Sequence, residues 1–301
     1  MDAVFVVNPR AGRGRGARIA RELPDLIRRH DVEARVVCTT APGDGTRLAR
    51  EAAGFASLVI AVGGDGTAHE VVNGVAGTDA TFGLIPFGTG NDLALALGIP
   101  SGPAAALDVA LRGQTKLIDL GRFDDHWFAN SLGLGFEAQV TIESRRVTRL
   151  RGFAVYLWAT MRALGNLRCP VYRIRIDDDV IEGRHLLVCI GNGPRVGGGF
   201  YLTPNADNTD GRFDVCLVEG MGRARVLATL PKALDGTHVN APTVTMHRGR
   251  TIEIECADGF PFHADGEVID TCRTSLRIDI HPGALPVKVG ADVLGRRGGT
   301  P

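Results

Sequence analysis

The chain has 301 residues, with 34 Lys+Arg balanced by 34 Asp+Glu, 44% apolar and 23% charged residues. That profile belongs to a soluble globular protein long enough for two domains, and it excludes disordered and collagen-like chains. Zero formal charge gives no general drive toward nucleic acid or an anionic membrane, so no nucleic-acid partner is expected and any membrane contact must be local. In chain order, an apolar run at 4–7 leads into Asn8-Pro9-Arg10-Ala11-Gly12-Arg13-Gly14-Arg15-Gly16 and a helix from about 17 to 29. A strand at 34–38 precedes Thr39-Thr40-Ala41-Pro42-Gly43 and a helix over 44–53. A strand at 58–62 runs into Gly63-Gly64-Asp65-Gly66-Thr67 and a helix over 68–75. A strand at 82–85 runs into Pro86-Phe87-Gly88-Thr89-Gly90-Asn91-Asp92 and a short helix over 93–97. Strand–loop–helix units in series predict a parallel sheet wrapped by helices, with ligand loops at the carboxyl ends of the strands.

After about residue 117 the apolar period becomes two. Tyr172, Ile174 and Ile176 alternate with Arg173 and Arg175; Ile252, Ile254 and Cys256 alternate with Glu253 and Glu255; Leu276, Ile278 and Ile280 alternate with Arg277 and Asp279. This predicts an antiparallel β-sandwich, interrupted by a helix over 153–164. The fold class is therefore α/β plus all-β, with a boundary near residue 118. No run approaches the roughly 18 apolar residues of a spanning helix, and no basic segment precedes the first strand, so neither a spanning helix nor a signal peptide is expected. Cys38, Cys169, Cys189, Cys216, Cys256 and Cys272 lack metal or redox spacing and read as small core hydrophobes in a reducing, cytoplasmic setting.

The loop Gly63–Thr67 is the most informative segment. Its glycines let the backbone turn tightly and approach a ligand. Thr67 is expected as an N-cap with Glu70 completing a capping box, so that the helix start offers N–H groups to phosphate oxygens. Asp65 beside phosphates calls for a bridging cation, which suggests Mg²⁺ and a nucleotide. The 86–92 loop repeats the pattern, while the 12–16 run matches neither a Walker loop nor a dinucleotide fingerprint.

Asn8-Pro9 with Gly12, Gly63–Thr67 continuing as Glu70-Val71-Val72-Asn73-Gly74, and the 86–92 loop together resemble the diacylglycerol kinase catalytic-domain family of bacterial lipid kinases, related to sphingosine and ceramide kinases. The resemblance continues at 116–121, 204–214 and His263-Ala264-Asp265-Gly266-Glu267. It implies a nucleotide-binding α/β domain over 1–118, completed by 286–301, a β-sandwich lipid-substrate domain over 119–285, and an active site in the cleft between them. It further implies that Asn8, Pro9, Arg10, Ala11, Gly12, Thr40, Gly63, Gly64, Gly66, Thr67 and Thr89 contact ATP and that Asp92 helps form the same site. Asp119 resembles an acid of a water-mediated Mg²⁺ network. The Asp210 carboxylate, with the backbone of Asp207 and Arg212, matches a structural Mg²⁺ site, an ordinary Asp-Gly hairpin being the alternative. Asp265 and Glu267 match the family's Asp-Gly-Glu, and the resemblance implies that one of them takes the substrate hydroxyl's proton, with Asp65 as a further catalytic acid; the two, expected at alternating strand positions, are not distinguished by sequence.

The implied reaction is transfer of the ATP γ-phosphate to a lipid hydroxyl, diacylglycerol to phosphatidic acid foremost, by a cytoplasmic protein that meets the membrane peripherally and forms a possible homodimer. Sphingosine, ceramide, phosphatidylglycerol and NAD are alternative acceptors, and an inactive nucleotide-binding regulator is the reading from a different class. His69 replaces an Asn common in relatives, and Trp158 stands about where some diacylglycerol kinases carry Lys. The nearly all-apolar helix over 153–164 is expected in the core, or else facing acyl chains, with Arg145, Arg146, Arg149 and Arg151 before it. Gly197, Gly198 and Gly199 read as a flexible rim loop. His185, His238, His247 and His281 lack zinc-ligand spacing.

Overall fold

A computed structural model describes residues 2–30, 32–147, 150 and 153–291. The chain divides into two compact units, Met1–Ile118 with Gly283–Pro301, and Asp119–Pro282. The first unit carries β1 (Asp2–Val7), α1 (Arg15–Ile27), β2 (Glu33–Cys38), α2 (Asp44–Ala53), β3 (Leu58–Gly63), α3 (Asp65–Val75), β4 (Thr81–Pro86), α4 (Asp92–Ala96) and α5 (Pro103–Arg112). β1 pairs in parallel with β2 and β3, and β3 with β4. β3 is buried along its whole length, as a β-branched strand between two parallel neighbours should be, whereas β2 at the edge is only partly covered. α1 turns Ile19, Leu23 and Ile27 inward, one helical stripe. α3 starts at Asp65 rather than at 68, so the glycine loop itself forms the first helical turn.

β5 (Gln114–Phe123) carries the chain into the second unit, which holds β6 (His126–Phe128), β7 (Ser131–Gly135), α6 (Phe136–Ser144), α7 (Phe153–Leu164), β8 (Val171–Ile176), β9 (Asp179–Gly191), β10 (Phe213–Glu219), α8 (Arg223–Thr229), β11 (Val244–Gly249), β12 (Thr251–Ala264) and most of β13 (Glu267–Val289). Its strands pair antiparallel: β10 with β9 and β11, and β12 with β13. The long β9 and β12 each pair with β7 at one end and β8 at the other, which wraps the strands around an apolar core. That core holds Tyr172, Ile174, Ile176, Ile252, Ile254, Leu276 and Ile278, the inward members of the period-two runs. Their outward neighbours face each other across the ladder, Arg173 3.6 Å from Glu255 and Arg175 3.5 Å from Glu253. β13 then returns to the first unit, where Val287 pairs in parallel with Phe82 of β4. Of the expected return over 286–301, residues 292–301 lie outside the described residues.

Three expectations change. α7 is two-faced: Ala159, Thr160, Ala163 and Leu164 are buried, while Leu157, Trp158 and Met161 are 43%, 39% and 51% exposed. Ala159, Thr160, Ala163 and Leu164 meet the protein while Leu157, Trp158 and Met161 do not, so the helix is not simply core. Cys38 and Cys272 are exposed, because one ends the edge strand β2 and the other lies where the β12–β13 register shifts; Cys189, Cys216 and Cys256 are buried. The Gly197–Gly199 segment is a tight turn with left-handed Gly197 and Gly198, closed by the Val196–Phe200 bridge. Among the described residues no helix is long and apolar enough to cross a membrane.

Candidate active site

In the first unit the glycine-loop residues all follow the carboxyl ends of β1 to β4, and the loops are tied to one another. Asp65 is the main tie. Its Oδ2 accepts the Asn91 N–H at 2.7 Å and its Oδ1 accepts the Asp92 N–H at 2.9 Å. Asn91, left-handed at φ 53°, in turn accepts the Gly88 N–H on Oδ1 at 2.8 Å. The carboxylate expected to need a bridging Mg²⁺ is thus accommodated by backbone donors at the start of α4.

The capping box is also corrected. Thr67 lies inside α3, whose N-cap is the extended Gly64, and its buried hydroxyl accepts from Asn8 Nδ2 at 3.1 Å. Asn8 Oδ1 accepts the Arg10 N–H at 2.9 Å, so one side chain holds the first loop against the third. Glu70 reaches away from its own helix end and accepts from Gly43 N and Gly45 N, each at 2.8 Å. Thr40 donates through N (2.8 Å) and Oγ1 (2.6 Å) to Asp44 Oδ2. These hydrogen bonds hold the Asp44 carboxyl well below the usual carboxylate range.

Backbone approach explains the glycines. A Cβ on Gly64 would stand 2.9 Å from Gly88 Cα, and one on left-handed Gly12 would stand 2.7 Å from the Phe87 carbonyl oxygen. Gly63 accepts the Phe87 N–H at 2.6 Å. Pro9, Arg10, Ala11, Gly66 and Thr89 lie on the same loops, and Asp92 is buried at the first position of α4. Donor-rich loops and helix starts of this kind suit phosphate oxygens.

In the second unit, Asp265 and Gly266 are not strand residues. With φ of 49° and 81° they make the two-residue turn between β12 and β13, closed by the Ala264–Glu267 pair. The two acids are therefore not equivalent. Asp265 Oδ2 accepts the Ala129 N–H at 3.0 Å, and its Oδ1 accepts those of Asn130 (2.8 Å) and Ser131 (3.0 Å). Glu267 stands at the surface and pairs with Arg145. Behind the turn, buried His263 accepts the Gly266 N–H on Nδ1 at 3.3 Å, which leaves its Nε2 proton facing Glu137 Oε1 at 3.2 Å. Sequence reading missed Glu137 and Arg145 as partners, since each acts on a segment more than a hundred residues away.

Asp119 lies with the 207–212 turn: its N–H donates to Asn208 O and its Oδ2 accepts the Gly211 N–H, both at 2.7 Å. Asp207 Oδ1 accepts from Thr209 N at 3.0 Å and Oγ1 at 2.6 Å. Asp210 Oδ1 accepts the Arg212 N–H at 3.0 Å, and its Oδ2 pairs with the Arg248 guanidinium. Mg²⁺ would have to sit about 2.1 Å from that same carboxylate. Among the described residues no group of three or more His, Cys, Asp or Glu is arranged to hold a metal. Asp210, the carboxylate of the structural cation site that the resemblance implies, is thus already paired with a guanidinium. Of the basic residues ahead of α7, Arg149 and Arg151 lie outside the described residues, as does the side chain of Arg13.

Residues 2–123 match the family of the diacylglycerol kinase catalytic domain, and residues 130–289 that of the YegS C-terminal NAD kinase beta sandwich-like domain. The chain is 32% identical to the diacylglycerol kinase of Mycobacterium tuberculosis (strain ATCC 25618 / H37Rv), over 94% of this chain and 93% of that protein. It is 37% identical to a Pseudomonas aeruginosa (strain UCBPP-PA14) protein named "Probable lipid kinase YegS-like", over 86% of this chain and 85% of that one. In fold it is similar to a diacylglycerol kinase structure from Bacillus anthracis str. Sterne, with a TM-score of 0.73 at 22% identity over 97% and 98% of the two chains. With both halves matched in order along nearly its whole length, the chain belongs to the diacylglycerol kinase catalytic-domain family of lipid kinases.

Proposed function

We propose that the protein transfers the γ-phosphate of ATP to a lipid hydroxyl, with diacylglycerol as the acceptor and phosphatidic acid as the product. The observation that carries this reading is the asymmetry of the Asp-Gly-Glu turn. Asp265 is held by three backbone N–H groups, whereas Glu267, part-exposed, has an arginine as its partner among the described residues. Glu267 takes the hydroxyl proton, the freed oxygen attacks the γ-phosphorus, and ADP leaves with the bridging oxygen. The loops at Asn8–Gly12, Gly63–Thr67 and Thr89 cradle the triphosphate, with Asp65 and Asp92 fixing their geometry. An Mg²⁺ ion accompanying ATP would neutralise triphosphate charge, and Asp65 on the third loop would be the carboxylate of the first unit nearest to it in role, beyond the backbone amides it already binds. Catalysis rests on positioning and charge.

A lipid acceptor requires contact with a bilayer. Leu157, Trp158 and Met161 form the apolar part of that contact, and the Arg162 guanidinium, 5.6 Å from the Trp158 ring centre, adds charge beside them. Binding is peripheral, at the cytoplasmic leaflet.

The test incubates purified protein with Mg-ATP and mixed micelles of diacylglycerol, phosphatidylglycerol, sphingosine or ceramide, and separately with NAD, with products separated by mass. Phosphatidic acid formed by the wild type and lost in Glu267→Gln supports the reading. Another phosphorylated lipid keeps the reaction and changes the acceptor, which the relative named only as a lipid kinase keeps in view. Phosphorylated NAD alone, or ATP binding without product, overturns it.

A further inference from the structure

Asp214 on β10 lies directly opposite Arg248 on β11. Asp214 is 4% exposed, and among the described residues its Oδ2 has no hydrogen-bond partner, while Arg248 Nε stands 3.4 Å away. The same guanidinium pairs with Asp210 Oδ2. Two carboxylates from different segments therefore converge on one arginine. A buried carboxylate without a counter-charge is costly, and the planar guanidinium fork can serve two carboxylates at once.

We propose that Arg248 is the resident cation of this turn. Held opposite Asp214 by the β10–β11 ladder, its guanidinium neutralises Asp210 and Asp214 and fills the place that a divalent metal takes in the pattern this segment resembles. A Mg²⁺ ion on Asp210 would face a guanidinium already bound to the same carboxylate, so like charges would meet across a few ångströms. The turn thus folds without a metal. This holds whichever acceptor the enzyme phosphorylates.

The experiment measures the thermal midpoint of nucleotide-free full-length protein in EDTA and in 5 mM Mg²⁺, for wild type, Arg248→Met, Arg248→Lys and the double variant Arg248→Met/Asp210→Asn. Wild type and Arg248→Lys should differ by less than about 1 °C between the two buffers. Arg248→Met should be lowered by several degrees in EDTA and recover in Mg²⁺, and the double variant should show no such recovery. A wild type that loses several degrees in EDTA overturns the proposal. So does an Arg248→Met variant that is undisturbed, or one that Mg²⁺ does not restore. Should Arg248→Met fail to fold in either buffer, equilibrium dialysis of the wild type against Mg²⁺ decides: about one bound ion per chain, lost in Asp210→Asn, refutes the assignment.

Discussion

Replacing Asp265 by Ala separates the two acids of the Asp-Gly-Glu turn. The Ala129, Asn130 and Ser131 amides that it binds belong to buried residues, at 2.8 to 3.0 Å from its oxygens. Leaving a buried donor unsatisfied costs about 1–3 kcal/mol, so three such donors cost roughly 3–9 kcal/mol before water re-enters. Alanine in the left-handed conformation of Asp265 adds about 1 kcal/mol. A net loss of about 4 kcal/mol, at ~2–4 °C per kcal/mol for a domain of this size, lowers the thermal midpoint by roughly 8–16 °C. Glu267→Gln removes only a part-exposed ion pair, worth about 0–1 kcal/mol, and should leave the midpoint within ~4 °C. Its cost falls on chemistry, a kcat loss of about 10²–10⁴. Differential scanning fluorimetry and kcat on diacylglycerol micelles read both effects. An Asp265→Ala protein as stable as wild type, or a Glu267→Gln protein keeping a third of its kcat, refutes the division of labour.

Asp65→Ala should free the Asn91 and Asp92 amides, lower stability by about 2–4 kcal/mol and cut kcat/KM more than tenfold; denaturant melts and steady-state kinetics check it. Serine at Leu157, Trp158 and Met161 together removes apolar surface worth about 3 kcal/mol on insertion. Co-sedimentation with anionic vesicles should weaken roughly a hundredfold, while turnover of a short-chain soluble diacylglycerol stays within about threefold. Buried His185 and His238 both have pKa values lowered from 6.5, with desolvation as the main cause. Each stays neutral in the folded state where the unfolded chain is protonated, so stability is present above pH 6.5 and falls as pH drops below it toward the folded values, by up to about 1.4 kcal/mol per pH unit per histidine. Midpoints measured from pH 7.5 to 5 should show this decline, and His185→Gln/His238→Gln should flatten it.

How much of this was legible along the chain depended on the range of the interaction. The β3 run of residues 58–63 buries every side chain, and the alternation around Ile174 and Ile254 matches the buried face of the second unit, because a strand's periodicity is local. α3 starts three residues before the position its capping pattern indicates, because Thr67 and Glu70 satisfy that local pattern and yet find better partners in Asn8, Gly43 and Gly45. The exposed apolar face of α7 was hidden for a related reason: composition shows that the helix is apolar all round, but not which side meets the protein.

The sequence by itself determined the class of each half, the strand–loop–helix order, the loops and acids from which the site is built, and the family. It did so because periodicity and glycine placement act over a few residues. Tertiary structure alone decided what each acid does. Asp65, Asp265 and Asp119 each bind backbone N–H groups of another segment, at positions 91–92, 129–131 and 211. Nearly every residue carries such a donor, so no side-chain pattern marks which ones will meet a carboxylate. Only the folded chain brings them within hydrogen-bond reach, and in doing so it leaves Glu267 as the acid of its turn whose carboxylate, among the described residues, meets an arginine and not a backbone donor.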